Sequence, residues 1–232
     1  MTEMPHGINV DVRTFAPISA IDTCSIWNLL SSPLLLATAL RKGRSFAVAG
    51  YVRHEALEKP RTKPTAAELA MQGEFKRRLS NGQGFTEVPM ALADLQAVAT
   101  LPESRKLGSG EIAALALART LRSAILTEDR GARKAAPRAG VGQAQTTPQL
   151  LGWLFYEGEL TDGDVTVIIS QHEERVEENR GRLTAYLRRI HVEACRCRLL
   201  RDGAMAGASL GEYRQEAPGQ PSVVDSGTGS AT

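Results

Sequence analysis

A chain of 232 residues is long enough to bury a full core, and 42% hydrophobic with 23% charged residues is an ordinary balance for a soluble globular protein. With 28 basic against 26 acidic residues the net charge is only +2, so the overall field does not draw the chain to nucleic acid and any such contact must come from a local basic patch. Three cysteines, an odd number in so long a chain, exclude a disulfide framework and fit a reducing compartment.

Residues 1–16 read as a mixed leader, and MTEMPHGINVDVR has no basic region followed by an apolar block, so it is not a secretory signal. Ile18 to Ile21 form the first expected strand, ending in Asp22, with a helix from about Ser25. The longest apolar stretch, Leu29 to Leu40, is interrupted by Ser31, Ser32, Pro33 and Thr38 and is too short to span a bilayer, so a cytoplasmic chain without a membrane segment is expected. After the basic turn RKGR, Ser45 to Gly50 read as a second strand leading into a helix with Val52, Ala56 and Leu57, and Glu55 falls one turn into it. KPRTKP then breaks the pattern. Thr65 caps an amphipathic helix to Leu79, with Glu68 three residues on, and residues 60–82 read as a helical insertion.

Phe85 to Val88 are the third expected strand and Ala91 to Thr100 a helix, followed by a loop, LPESRKLGSG. The next helix, Glu111 to Leu121, is apolar almost all round and is expected to be buried. Ser123 to Thr127 form a fourth strand ending at Glu128 and Asp129, followed by a short helix from Ala132 to Ala136 and a weak fifth strand near Val141 to Ala144. Helices are expected again at Pro148 to Tyr156 and from Asp164 to about Leu200. The main domain is then 17–163, a helical extension 164–202, and 203–232, rich in Gly, Ser, Ala and Pro, a disordered tail. Alternating strands and helices point to an α/β fold: a mostly parallel sheet of about five strands with helices on both faces.

Four acids stand out in this order: Asp22, Glu55, Glu111 and Asp129. Two follow short apolar runs, as where a parallel sheet presents side chains at its C-terminal edge, and two sit on expected helices, Glu111 just inside a start signal. Carboxylates converging from separate segments repel one another unless a cation lies between them, and hard divalent cations select oxygen ligands. Mg²⁺ or Mn²⁺ is the expected cofactor.

IDTCS after a strand, an acid in the helix after the second strand, GSGE opening an apolar helix, and LTEDRGAR after the fourth strand resemble the PIN-domain nucleases, of which VapC-type toxin ribonucleases are abundant bacterial members. The match runs from about Ile18 to Leu160, with QTTPQLLGWLFYEGELT similar to the family's closing turn and helix. The resemblance implies a three-layer PIN-like fold and a metal-dependent endoribonuclease in which Asp22, Glu55, Glu111 and Asp129 are catalytic. It further implies Asp22, Glu111 and Asp129 as metal ligands, Thr127 as a hydroxyl holding a carboxylate or phosphate, and Thr23 as support for Asp22. Its implied partners are single-stranded or looped RNA, a small antitoxin covering the acidic groove, and a second copy of the chain. A housekeeping RNA-processing nuclease would carry the same residues.

Cys24 departs from the family, which more often has Ser or Asn there, and a thiol is a poor partner for Mg²⁺. Glu128 competes with Asp129 for its role and Glu58 with Glu55. Taken singly, Asp22 and Asp129 also read as helix N-caps and Glu111 as a first-turn glutamate. Arg130, Arg133 and Lys134, which follow the last acid directly, are the best-placed RNA contacts, ahead of Arg41, Lys42 and Arg44 or Lys76, Arg77 and Arg78. His54, beside Glu55, is expected to have no catalytic part. Two rivals remain: a PIN-like module that binds without cutting, and a metal-dependent phosphatase. The phosphatase would need a second Asp where Cys24 stands.

Overall fold

Short runs of small and branched apolar residues between polar turns become five parallel strands in the computed structural model, which describes residues 11–59, 63–177 and 182–215, with side chains as far as 204. They are β1 (Ile18–Ile21), β2 (Ser45–Ala49), β3 (Phe85–Val88), β4 (Ala124–Leu126) and β5 (Ala144–Gln145), in the order β3-β2-β1-β4-β5. Such strands are buried on both faces and so read as continuous apolar runs. The fold is the expected α/β class, with the sheet parallel throughout and helices flanking it, consistent with a three-layer PIN-like architecture. The chain moves outward from β1 through β2 to β3, then returns to place β4 on the other side of β1. The C-terminal ends of β1 and β4, which pair Ile21 with Leu126, therefore border the point where the strand order reverses, the place where open α/β sheets form a crevice.

The chain divides after Cys197 into two units; the sheet and the acids belong to the first, and the described part of the second is the end of the last helix. The first apolar stretch forms two helices, α1 (Thr23–Ser31) and α2 (Pro33–Arg41), because Pro33 lacks an N–H and cannot continue α1. They meet at 101°, and among the described residues no single helix is long and apolar enough to cross a membrane, though this bent pair has the length and composition to do so. Much of both helices is buried inside the protein: Ile26, Leu29, Leu35 and Leu36 are core residues.

The crossover from β2 to β3 uses α3 (Gly50–Leu57) and α4 (Ala66–Ser80). Thr65 and Glu68 form the expected capping box. The segment that reads as an insertion is packed into the core: Phe75 of α4 is fully buried and meets Phe85 of β3 edge-on at 5.3 Å, and Phe85 in turn lies 5.6 Å from Phe46 of β2. Helix α5 (Leu92–Ala99) leads to a 3₁₀ turn, Pro102–Lys106, within the expected loop; Ser104 donates to the Val98 carbonyl at 2.6 Å. Helix α6 (Ser109–Thr120) buries Gly110 and Ala113 to Ala118, as its all-round apolar pattern predicts. After α7 (Arg130–Ala135), β5 forms at Ala144–Gln145 instead of beginning at Val141, because the Val141 N–H is already bonded to the Ala136 carbonyl at 2.8 Å.

The expected long C-terminal helix is two, after α8 (Thr147–Tyr156): α9 (Asp162–Arg175) and α10 (Thr184–Gln215). Val176 is extended, and the Leu183 N–H at the start of α10 donates to His172 Nε2 at 2.9 Å, so a side chain satisfies a helix end that a continuous helix would not leave open. The expected disordered tail is helical as far as Gln215, and 216–232 lie outside the described residues.

His172 is buried, and because Nε2 accepts from Leu183, Nδ1 carries the proton and donates to Ser31 Oγ at 2.7 Å; Ser31 donates onward to the Asn28 carbonyl at 2.8 Å. Burial, reinforced by Arg182, holds the imidazole pKa below its usual value. A base with a depressed folded pKa contributes stability that is complete above its unfolded value, about 6.5, and is lost as pH falls toward the folded value. Urea unfolding at about pH 7.5 and 5.5 should show wild-type stability falling toward acid, with this group supplying at most about 1.4 kcal/mol per pH unit. His172→Gln should be less stable by about 1–3 kcal/mol at the higher pH and lose that share of the slope. An unchanged slope would remove His172 from the account.

Candidate metal-binding cleft at the sheet edge

Asp22 leaves β1 and caps α1, so the cap and functional readings of this residue hold together. Oδ1 accepts the Ser25 N–H at 2.7 Å, while Oδ2 accepts a short hydrogen bond from Thr127 Oγ1, one residue beyond β4. The carboxyl is 2% exposed, and burial raises its pKa against the lowering effect of both hydrogen bonds. Thr127 holds a carboxylate, as the resemblance implies, and it also accepts the Asp129 N–H at 3.1 Å.

Thr23 does not support Asp22. Its hydroxyl donates to Glu55 Oε2 at 2.7 Å, because the first turn of α1 faces α3. Glu55 Oε1 accepts from Lys59 Nζ at 3.1 Å, one helical turn on. Glu58, the competing acid on the same helix, turns outward to Arg53 and His54 at 2.8 Å each. That contact settles Glu55 as the acid facing inward and leaves His54 on an exposed pair away from the cleft.

Glu111 lies in the first turn of α6, just after Gly108 and Gly110. Burial raises its pKa, and the charges of Asp129, Asp22 and Glu55 raise it further. Glu111 thus feels the charge of the other three acids, but among the described residues no three of the four bring carboxylate oxygens within 4.8 Å of one another. Asp22, Glu55 and Glu111 line a common open cleft of about 300 Å³, together with Thr23, Lys59 and Gly110. Asp129 is exposed, caps α7 through the Ala132 N–H at 2.6 Å, and acts on Asp22 and Glu111 through its charge.

The glycines of GSGE have a steric reason. A Cβ on Gly110 would overlap Glu55 Oε2 and stand 3.5 Å from Thr23 Oγ1, and a Cβ on Gly108 would overlap Glu111 Oε2. The backbone of α6 thus makes room for the two glutamates. Gly110→Ala should push Glu55 off Thr23 while slightly favouring the helix, so divalent-metal affinity should fall about 10- to 100-fold with the unfolding temperature unchanged or higher. Calorimetric Mn²⁺ titration alongside thermal unfolding checks this; wild-type affinity in the variant would contradict it.

Glu128, the competitor of Asp129, has a different task. Its Oε1 accepts the Thr147 N–H at 2.6 Å at the start of α8, and burial pushes its pKa up to about 7. It lines a neighbouring cavity of about 360 Å³ whose wall, Cys24 and Trp27, is shared with the acid cleft. Cys24 is exposed, but its thiol lies against packed atoms; that desolvation, then the charges of Asp22, Glu111, Glu55 and Glu128, push its pKa up to about 12. In the metal-free protein it is a protonated thiol on the cleft wall at neutral pH.

No family model, curated protein or solved structure matches the chain. The site must therefore be judged on its own chemistry. Its donors are carboxylate oxygens, the set that suits Mg²⁺ and Mn²⁺ and does not favour soft metals. Of the expected RNA contacts, Arg133 is spent on the fold: Nη1 donates to the Thr127 and Glu128 carbonyls at 3.2 and 2.6 Å, fixing the turn that carries Asp129. Arg130 and Lys134 are exposed beside it. Among the other expected basic groups, Lys42 pairs with Glu159 at 2.8 Å, Arg44 stacks over Trp153 at 4.1 Å, and Arg77 and Arg78 hold Glu74 at 2.8 and 2.6 Å. Lys59 and the two glycines are site features that a search for acids passes over; GSGE held the signal for the glycines, and the i,i+4 spacing from Glu55 held it for Lys59.

Proposed function

We propose that the chain is a Mg²⁺- or Mn²⁺-dependent endoribonuclease. The observation that carries this reading is the meeting of Asp22, Glu55 and Glu111 in one open cleft beside the strand-order reversal, with the charge of Asp129 acting on Asp22 and Glu111. When bound, the divalent ion supplies Lewis acidity and a water of lowered pKa for in-line attack on a phosphodiester. Asp22, Glu111 and Asp129 would hold it, with Glu55 completing the acidic wall. The protein's own part is positioning: Thr127 and Ser25 fix both oxygens of Asp22, Thr23 fixes Glu55, and Arg133 fixes the turn before α7.

Arg130 and Lys134 supply phosphate contacts next to the acids, and Trp27 offers an aromatic wall on which an unpaired base can stack. The resemblance to PIN-domain nucleases supports RNA as the substrate. It likewise supports the toxin role in a toxin–antitoxin pair, a small antitoxin seated over the acidic cleft, a homodimer and a cytoplasmic location.

The second reading, a scaffold that binds nucleic acid without cutting, is favoured by one contact: Lys59 Nζ already sets a positive charge against Glu55 in the cleft. Incubating the purified full chain with an end-labelled RNA of mixed sequence separates the two. The nuclease reading expects cleavage in Mg²⁺, none in EDTA, and products with 5′-phosphate and 3′-hydroxyl ends. RNA bound but left intact in both Mg²⁺ and Mn²⁺ would transfer the case to the scaffold.

A further inference from the structure

Away from the acid cleft, three side chains from two elements turn toward one point: Asp162 at the start of α9, and His191 and Cys195 of α10. His191 and Cys195 are four residues apart, so they occupy neighbouring positions on one helix face. His191 Nε2 lies 2.8 Å from Asp162 Oδ1, and the donor atoms of all three residues lie within 4.8 Å of one another. All three residues belong to the first unit of the chain.

The aim of these groups is not a by-product of helix capping. Thr161 and Asp164 form the capping box of α9, with Thr161 Oγ1 accepting the Asp164 N–H at 3.2 Å and Asp164 Oδ2 accepting the Thr161 N–H at 2.8 Å. The carboxylate of Asp162 is left to cross to α10. The ring of His191 is held edge-on by Phe155 of α8, with centroids 4.6 Å apart, which fixes the direction of its nitrogens. Asp162 is largely exposed and His191 mostly covered, so the point is reachable from solvent on one side.

We propose that Asp162, His191 and Cys195 form a second metal site, selective for Zn²⁺, that ties α10 to the start of α9. One oxygen, one imidazole nitrogen and one thiolate are a borderline-soft donor set, which takes Zn²⁺ in preference to the Mg²⁺ or Mn²⁺ suited to the acid cleft. Zinc ligands at about 2.0–2.3 Å from the ion stand roughly 3.3–3.8 Å apart in a tetrahedron. The present spacing reaches that arrangement by opening the 2.8 Å His191–Asp162 contact slightly and drawing the three donors, now within 4.8 Å, together. Binding releases the Cys195 thiol proton and requires His191 to carry its remaining proton on Nδ1, leaving Nε2 for the ion. With three protein ligands, the fourth position is open to water on the Asp162 side. The inference does not depend on the nuclease reading.

Cobalt titration of the purified full chain tests it, because Co²⁺ replaces Zn²⁺ in tetrahedral sites and a thiolate ligand produces a charge-transfer absorption. The proposal expects one Co²⁺ per chain with that absorption, displaced by Zn²⁺. Cys195→Ser should abolish the absorption, and His191→Ala and Asp162→Asn should each weaken binding at least tenfold. Cys24→Ser and Cys197→Ser should leave the spectrum unchanged, and so should Asp22→Asn. Because Asp162 is exposed, Asp162→Asn keeps the test available even where a change on α10 disturbs folding. A wild-type chain without the thiolate absorption at saturating Co²⁺, or the same absorption in Cys195→Ser, overturns the proposal.

Discussion

Asp22→Asn should make the metal-free protein more stable while removing RNA cleavage. The carboxyl is buried, and its pKa is raised, chiefly by desolvation and in part by Asp129. An acid whose folded pKa lies above its unfolded value stabilises the fold below the unfolded value and loses that contribution as pH rises through the folded one. At neutral pH the charged form is therefore a cost, and asparagine relieves it. Asn Oδ1 still accepts the Ser25 N–H, so the cap of α1 survives, while the amide NH2 can no longer accept from Thr127 Oγ1, a loss that offsets part of the gain. The unfolding temperature without metal should rise at pH 7 and should rise much less near pH 3. Cleavage should fall by about 10²-fold or more, the scale of losing one group that stabilises developing charge. A buried acid kept at the expense of stability is what a functional site predicts and a structural cap does not. A variant that is both less stable and fully active would reverse the interpretation.

The second large effect concerns the fold. Phe75→Ala should destabilise the protein by about 3–5 kcal/mol. The ring is fully buried and stands edge-on to Phe85, which is itself packed on Phe46, so its loss leaves a cavity between α4 and the outer strands. The unfolding temperature should drop by about 10 °C or more. This result would establish α4 as part of the crossover between β2 and β3 and not as an appended insertion. A drop of only a degree or two would mean that the segment can detach without cost to the sheet.

The strands, and the approach of Asp22, Glu55 and Glu111 to one cleft, were legible because both rest on local patterns. ISAI, SFAVA, FTEV and AIL are apolar runs stopped by polar residues, and Asp22 and Asp129 follow two of them directly. What sequence could not settle was direction in space. Thr23 adjoins Asp22 in the chain but points to Glu55 across the gap between α1 and α3. Glu55 and Glu58 are indistinguishable by spacing, and the exposed pair with His54 and Arg53 decides between them. Glu128 and Asp129 are neighbours in sequence, but the first turns to the Thr147 N–H and the second caps α7. The break between α9 and α10 escaped notice because its cause is tertiary: a buried histidine receives the N–H of Leu183, and no local composition announces that bond. The Asp162, His191 and Cys195 group was invisible for the same reason, since it joins residues 29 and 33 positions apart.

The central claim is that the cleft between β1, α3 and α6 holds a divalent ion through Asp22, Glu111 and Asp129. Electron paramagnetic resonance of Mn²⁺ titrated into the full chain measures this directly, because bound ion loses the sharp signal of free Mn²⁺. Wild type and Cys195→Ser should bind Mn²⁺ alike, while Asp22→Asn and Glu111→Gln should leave the ion free at the same concentrations. Equal Mn²⁺ binding by wild type and both acid variants would contradict the account, whatever the protein does to RNA.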